Sequence, residues 1–173
     1  MGRVVILSGG RGVGKTTVCQ RAVTLAQRRG YETRGILTVV QPGARDVLDV
    51  ESGHWRRLTT TSGDGQVVIQ GRFQFDPQVL SWGNMVLSQA EPCDLLVIDE
   101  IGPLEVERGR GWVSAFDVLW AGAYALALLV VRPELIAQVC DRLAGCDLEV
   151  LPVTSENRDR LPISLVEMME REM

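Results

Sequence analysis

Apolar residues form short continuous runs along this chain, and these runs alternate with segments of helical periodicity. Arg3–Ser8, Asp94–Asp99 and Tyr124–Val131 predict strands buried on both faces, because their apolar positions are consecutive rather than alternating. Two further strands are predicted over 34–40 and 148–153. Helices are predicted over 16–26, 77–89, 112–120 and 133–144, and from 162 onward. This alternation predicts an α/β fold with a mostly parallel central sheet that is covered on both faces.

The region from about 35 to 75 departs from this alternation and predicts antiparallel hairpins. Val47–Val50 and Trp55–Thr59 flank a tight turn at Glu51–His54. Gly71–Phe75 predicts one more short strand. Because 173 residues suit one domain with a sizeable core, we predict a single domain over 1–173 that carries the hairpins as an insertion.

A glycine-rich segment between the first strand and the first helix carries specific chemistry. Residues 9–16, GGRGVGKT, fit the pattern G-x-x-x-x-G-K-[ST], and Lys15 is the one lysine among 18 basic residues. The glycines let backbone N–H groups point into one concavity, to which the helix N-terminus adds partial positive charge. A compact ammonium fits between phosphates where a planar guanidinium does not. We therefore predict a phosphate-binding loop, with Lys15 on the β- and γ-phosphates of a nucleotide and Thr16 on Mg²⁺.

A second candidate group is the acid pair that ends the run Leu95–Ile98. In P-loop enzymes such a strand lies beside the phosphate loop, and its terminal Asp faces Mg²⁺, which assigns that role to Asp99. Glu100 is then placed to orient or deprotonate an attacking water. The alternative is that both acids merely mark the point where the strand leaves the core. The turn expected at Gly102-Pro103 would hold the two carboxylates near the strand tip.

Hydrolysis also needs a cation on the charge that develops in the transition state. The candidates are Arg11, Arg108, Arg110, Arg132 and Arg158, each of which is alternatively a solvated surface arginine. The segment 154–159, TSENRD, follows the last predicted strand on the ligand-binding edge of the sheet. Its side chains either contact the base or ribose, or cap a short helix that begins at Ser155 or Asn157.

Composition narrows the class of protein further. The net charge is −4 and no basic tract occurs, which argues against an obligate nucleic-acid partner. The four cysteines lie far apart and His54 is the only histidine, so free thiols are expected rather than a zinc site. We expect no signal peptide, because the first predicted strand begins at the start of the sequence, and the longest apolar run is too short to span a bilayer. We expect a cytoplasmic monomer that does not bind membranes.

Four stretches of this sequence together resemble a known family. They are SGGRGVGKTT at the start, RGILT at 34–38, LLVIDEIGPLE at 95–105 and TSENRD at 154–159, in this order over nearly the whole chain. The chain is similar to the small stand-alone nucleoside-triphosphatases of the P-loop superclass, which occur in thermophiles and in animals, where they are called cancer-related nucleoside-triphosphatases.

This resemblance implies a three-layer, RecA-like fold. It also implies slow, Mg²⁺-dependent hydrolysis of ATP, GTP or other nucleoside triphosphates to diphosphate and phosphate, with loose base selectivity. The candidate catalytic residues are then Lys15, Asp99 and Glu100, and the candidate metal ligands are Thr16 and Asp99. The candidate nucleotide-binding residues are Gly9, Gly10, Arg11, Gly12, Val13, Gly14, Lys15, Thr16, Thr17, Leu95, Leu96, Val97, Ile98, Asp99, Glu100, Ile101, Gly102, Asn157 and Arg158.

Two segments depart from the pattern of that family. The strand ending in Val130–Pro133 lacks the small polar residue often present at this tip, and the hairpin region diverges around Gln41–Arg45. Two alternative functions stay open at this point. One is a kinase that passes the γ-phosphoryl group to a small acceptor bound at the hairpins. The other is a nucleotide-operated switch whose slow hydrolysis times a contact with a protein partner.

Overall fold

The computed structural model describes residues 2–61 and 67–173, so residues 62–66 of the predicted hairpin region lie outside the described residues. Within these ranges no helix combines the length and the apolarity needed to cross a membrane. The described strands are β1 (Arg3–Ser8), β2 (Thr33–Gln41), β3 (Ala44–Asp49), β4 (Trp55–Arg57), β5 (Val68–Gln70), β6 (Phe73–Phe75), β7 (Cys93–Ile101), β8 (Tyr124–Val131) and β9 (Asp147–Pro152). The described helices are α1 (Lys15–Arg28), α2 (Pro77–Ser88), α3 (Pro103–Val106), α4 (Ser114–Ala121), α5 (Ile136–Arg142) and α6 (Leu161–Glu172).

Seven of these strands form one sheet in the order β4-β3-β2-β7-β8-β1-β9. From β2 to β9 all neighbours are parallel, whereas β3 and β4 continue the sheet as antiparallel strands beyond β2. The predicted α/β fold with a mostly parallel sheet and antiparallel hairpins is therefore confirmed. β5 and β6 form a separate two-stranded sheet, and β5 was not predicted from the sequence. That the insertion belongs to a single domain stays a prediction.

Helices cover both faces of the central sheet and form two cores. α1 and α6 pack on one face, against alternate residues of β7 such as Leu95 and Val97. α2, α4 and α5 pack on the opposite face, against the intervening residues Leu96 and Ile98. The consecutive apolar positions of the strands have their physical reason here, because each strand must bury both of its sides.

The predicted apolar face over residues 112–120 is wrong in part. α4 begins only at Ser114, and Leu119 is buried on it, as is Trp112 just before the helix. Val113 is 43% exposed and Trp120 is 45% exposed. The indole of Trp120 stays at the surface because its Nε1 donates a hydrogen bond to the carbonyl of Arg142, which is 3.1 Å away.

The acid-bearing strand is longer than predicted. β7 continues through Asp99 and Glu100 to Ile101, and its pairing with β8 shifts in register between Ile98 and Ile101. β7 is not hydrogen-bonded to β1, because β8 lies between them. The tips of β1 and β7 are therefore separated by one strand, which leaves space for a ligand at the carboxyl end of the sheet.

Gly35 brings β2 unusually close to β7. Its φ of +113° lies in the region that favours glycine, and a Cβ atom at this position would meet the carbonyl oxygen of Val97 at 2.0 Å. The same residue accepts a hydrogen bond from the backbone N–H of Val50, at 3.0 Å. No side chain fits at this point of the sheet without moving one of the two strands.

We therefore expect the substitution Gly35→Ala to lower the free energy of unfolding by at least about 2 kcal/mol, since it adds both backbone strain and a clash in the sheet. Gly53→Ala is the matched control, because Gly53 has a φ of +72° but no atom within 4 Å of a Cβ. That control should lose only about 1 kcal/mol. Urea unfolding of the three proteins measures the difference, and equal losses in the two variants would contradict the close approach at Gly35.

Candidate active site

The glycine-rich loop runs from the tip of β1 to the start of α1, as predicted. Gly9, Gly12 and Gly14 adopt positive φ angles of 143°, 75° and 113°. Gly14 is the N-cap residue of α1, and no side chain of the described residues caps this helix end. The first turn of α1 also contains no acidic residue. The positive end of the helix dipole is thus open toward the loop, which suits an anionic group.

The ammonium group of Lys15 lies over the loop itself. Its Nζ donates hydrogen bonds to the carbonyl oxygens of Gly9 at 2.7 Å and Gly10 at 3.0 Å. These contacts hold the lysine inside the concavity of the loop, where a phosphate oxygen can replace either carbonyl. A guanidinium is a wider, planar group and would need more space than this concavity of the loop gives to the ammonium.

Asp99 lies at the level of the loop and faces the start of α1. It is 2% exposed, and its carboxylate accepts a hydrogen bond from the hydroxyl of Thr16. Burial raises the pKa of Asp99 to about 7, while the Thr16 hydrogen bond and the nearby Lys15 and Arg45 act in the opposite direction. Its Oδ2 atom has no hydrogen-bond partner among the described residues.

These two side chains fit the expected Mg²⁺. A hydroxyl and a carboxylate are hard oxygen ligands, and the unpartnered Oδ2 of Asp99 is a buried acceptor that a cation would satisfy. Residues 2–61 and 67–173 contain no group of three or more His, Cys, Asp or Glu side chains suited to a metal. Thr16 and Asp99 would therefore supply only part of the ligand set. That arrangement is usual for Mg²⁺, which keeps waters and takes phosphate oxygens from its substrate.

Glu100 follows Asp99 directly but contacts a different set of groups, namely two arginines. Its Oε1 lies 3.0 Å from Nη2 of Arg132 and 3.7 Å from Nη1 of Arg45. Arg132 follows directly after β8, and it was one of the cations predicted from the sequence. The structure thus brings Arg132 to the predicted acid pair.

Arg45 was not predicted as part of the site. It belongs to β3, and its side chain is only 12% exposed. Its guanidinium lies 4.8 Å from the centre of the Phe73 ring. Burial lowers its pKa, as do Arg132 and Arg11, while Glu100 acts in the opposite direction. The sequence could have indicated Arg45 only through the register of the sheet. That register cannot be assigned without knowing that β2 pairs with β7.

The other candidate cations lie elsewhere. Arg11 is exposed within the loop, and its charge helps to lower the pKa of Arg45. Arg108 is exposed and donates from Nη1 to the carbonyl of Ile69 at 2.9 Å, which joins the segment after β7 to β5. Arg110 is exposed, and its backbone N–H bonds the carbonyl of Leu104. Neither Arg108 nor Arg110 forms an ion pair with Glu100 in the described part of the chain.

The segment 154–159 packs against the phosphate loop. The amide of Asn157 accepts from the Thr154 N–H and donates to the Pro152 carbonyl, both at 2.8 Å, so it stabilises the turn. Arg158 instead reaches the loop, where its Nη1 donates to the carbonyl of Val13 at 3.2 Å. A cavity of about 250 Å³ lies between this turn and α1; it is lined by Gly14, Thr17, Val18, Arg21, Arg158 and Asp159.

The remaining candidates of the acid-bearing strand are buried in the sheet. Five of them are fully buried in the two cores: Leu95, Leu96, Val97, Ile98 and Ile101. Gly102 is the N-cap residue of α3, and its N–H donates to Oε2 of Glu105 at 2.8 Å. At the carboxyl end of β7, the side chains that contact other groups of the site are therefore those of Asp99 and Glu100. Asp99 lies near Thr16 and Lys15, and Glu100 lies near Arg45 and Arg132.

Comparison with known proteins agrees with this geometry. The family model described as NTPase matches residues 4–166. A nucleoside-triphosphatase THEP1 from Methanosarcina barkeri is 31% identical over 165 residues, which are 91% of this chain and 92% of the relative. A protein of the same name from Methanosarcina acetivorans is also 31% identical and is covered to 98%, as is this chain.

Two solved structures share the fold. The solution structure of a human cancer-related nucleoside triphosphatase has a TM-score of 0.76 at 24% identity, and the match covers 99% of this chain and 100% of that one. The crystal structure of THEP1 from Aquifex aeolicus has a TM-score of 0.72 at 20% identity, with 97% and 99% covered. The central sheet and its two helical layers therefore have close counterparts among known folds.

The buried carboxylate of Asp99 makes a prediction about stability and pH. Its pKa is about 7 in the folded chain against an ordinary value of 3.8, so the folded state binds more protons than the unfolded state between these values. The free energy of unfolding contributed by this group consequently falls as the pH rises through that window. Asp99→Asn removes the titration but keeps an oxygen that accepts from Thr16.

We expect Asp99→Asn, in EDTA, to gain about 2 kcal/mol over the parent protein between pH 5 and pH 8. Urea unfolding at the two pH values measures this gain. Asp141→Asn, at an exposed position of α5, is the control. Its free energy of unfolding should equal that of the parent at both pH values. A gap for Asp99→Asn that is constant or narrows toward pH 8 would contradict the raised pKa.

Proposed function

This chain belongs to the family of NTPases whose model it matches, and on that premise we propose that it hydrolyses nucleoside 5′-triphosphates to diphosphate and phosphate with Mg²⁺. We propose further that turnover is slow and that base selectivity is loose. The observation that carries the proposal is the alignment of Lys15, Thr16 and the unpartnered oxygen of Asp99 at the mouth of α1.

The loop and the start of α1 supply the binding of the triphosphate. Backbone N–H groups of the loop and the helix dipole attract the phosphates, and Lys15 exchanges the carbonyls of Gly9 and Gly10 for β- and γ-phosphate oxygens. Thr16 and Asp99 would hold Mg²⁺ beside these oxygens. The bound cation would neutralise part of the charge that the triphosphate carries.

Glu100 serves the attacking water. Its carboxylate orients the water and accepts a proton as the water oxygen bonds to the γ-phosphorus and the bond to the β,γ-bridging oxygen breaks. Arg132, bonded to Glu100 at 3.0 Å, is the predicted cation nearest to this chemistry. Arg132 must leave this carboxylate before it can reach the phosphate, which supports slow turnover.

The cavity beside the loop supports loose base selectivity. Its lining consists of a glycine, a threonine, a valine and three charged residues, and it offers no aromatic face on which one base would stack in preference to another. Arg21 and Asp159 are paired with each other at 2.8 Å within it. Arg158 is the residue of this cavity that also contacts the phosphate loop, so we assign it to the nucleoside.

A kinase reaction is less well supported than hydrolysis. An acceptor for the γ-phosphoryl group was expected at the hairpins, where a cavity borders Arg45, Gln70 and Glu100. That cavity measures about 20 Å³ within the described residues, which suits a water rather than a small-molecule acceptor. Phosphate release with Mg²⁺ and nucleotide alone, without any acceptor, separates the two reactions.

We expect Lys15→Ala to weaken binding of Mg-ATP by about 10- to 100-fold, since a charged hydrogen-bond donor to the phosphates is lost. Turnover should become undetectable. Arg28→Ala is the matched control, because it removes an exposed cation from the last turn of the same helix. Nucleotide titration and phosphate release measure the two effects. Unchanged binding and turnover in Lys15→Ala would remove the loop from the proposed function.

The substitution Glu100→Gln should leave the affinity for Mg-ATP within about twofold and lower kcat by about 10²-fold or more, the usual loss for a general base. Glu107→Gln, at an exposed acid shortly after β7, is the control and should retain the parent rate. Single-turnover phosphate release gives the rate of the chemical step. A Glu100→Gln rate equal to that of the parent would assign the base to another group.

A further inference from the structure

Arg45 contacts Glu100 from the hairpin side of the sheet and has little freedom to move. Its Nη1 lies 3.7 Å from Oε1 of Glu100, and its side chain is 12% exposed. The guanidinium stacks on Phe73 at 4.8 Å from the ring centre. A buried arginine that is held by these two contacts keeps its partner in place, whereas a mobile arginine would move with it.

Arg45 lines a small cavity whose walls are partly polar and partly apolar. Its Nε atom and Oγ1 of Thr38 are buried and have no hydrogen-bond partner among the described residues. Both residues line the same cavity of about 20 Å³, together with Gln70 and Glu100. A buried water needs about 10–15 Å³ and two or more polar partners, so this cavity has the volume and the donors and acceptors for one water molecule.

Arg132 binds the same carboxylate oxygen as Arg45 but is more exposed to solvent. Its side chain is 32% exposed, and the residue follows directly after β8 at the carboxyl end of the sheet. Such an arginine can exchange its partner for a phosphate group. If it does, Glu100 keeps its position only through the second arginine, Arg45.

We propose that Arg45 is a positioning residue for hydrolysis. It fixes the Glu100 carboxylate through their ion pair, and a water in the cavity joins its Nε to the Thr38 hydroxyl and so fixes the guanidinium in turn. This inference rests on the proposed function, because Arg45 acts by positioning Glu100, which is the proposed base. It assigns no contact between Arg45 and the nucleotide. Its effect reaches the chemistry through Glu100 alone.

The first experiment compares Arg45→Met with Arg72→Met in steady-state hydrolysis of Mg-ATP. Arg72 also lies over the Phe73 ring, at 5.1 Å, but forms no ion pair with Glu100 in the described part of the chain. Arg45→Met should lower kcat about 10-fold or more with KM and nucleotide affinity within about twofold, since a misplaced group costs rate rather than binding. Arg72→Met should match the parent. Equal kcat values for the two variants would overturn the proposal.

The second experiment tests whether Arg45 acts through Glu100. The double variant Arg45→Met with Glu100→Gln should be no slower than Glu100→Gln alone, within about twofold, because groups that act as a unit are not additive. A further loss equal to that of Arg45→Met in the parent would mean that Arg45 acts on the substrate directly. That outcome would also overturn the proposal.

Two milder variants cover the case in which Arg45→Met does not fold, which nucleotide titration reveals. Arg45→Lys keeps the charge but loses the fork and Nε, and should give a kcat between those of the parent and Glu100→Gln. Thr38→Val removes one partner of the water and should lower kcat about threefold at unchanged KM. Parent rates in both variants would overturn the proposal. If Glu100→Gln itself were as fast as the parent, the failure would lie in the proposed function instead.

Discussion

The carboxyl end of β7 is the feature on which the site depends. Because helices cover both faces of the sheet, successive residues of this strand face opposite layers as far as Ile98. Beyond Ile98 the pairing with β8 shifts in register, and Asp99 lies beside Thr16 of α1 whereas Glu100 pairs with Arg45 and Arg132. Two neighbouring acids thus enter two different environments, and this separation allows them different tasks.

Each environment offsets the burial of its carboxylate in its own way. On the α1 side, Asp99 has a hydroxyl donor in Thr16, a nearby lysine, and one oxygen left for a cation. On the hairpin side, Glu100 has two guanidinium groups on one oxygen. The compact ammonium of the single lysine serves the phosphate loop, and the planar forks of Arg45 and Arg132 serve a carboxylate.

Much of this arrangement could be predicted from local sequence, and the rest required the tertiary pairing of β2 with β7. The glycine loop, Thr16 and Asp99 come together because the motif specifies them locally. Arg45 could not be found in this way. Ile36 pairs with Ile98, and Val40 pairs with Arg45, but the first pairing joins two strands that have the hairpin region and α2 between them in the chain. The exposure of Trp120 was likewise set by a partner, the Arg142 carbonyl, that periodicity does not show.

The close approach at Gly35 connects the fold to the chemistry. Since Gly35 has no Cβ, β2 lies tightly against Val97, and this contact sets the register that places Ile36 beside Ile98. β2 continues beyond this pair, and its Thr38 lines one cavity together with Glu100. The antiparallel turn into β3 then returns Arg45 to this edge of the sheet. One missing methyl group on a buried strand thereby helps to fix the distance between a carboxylate and its arginine.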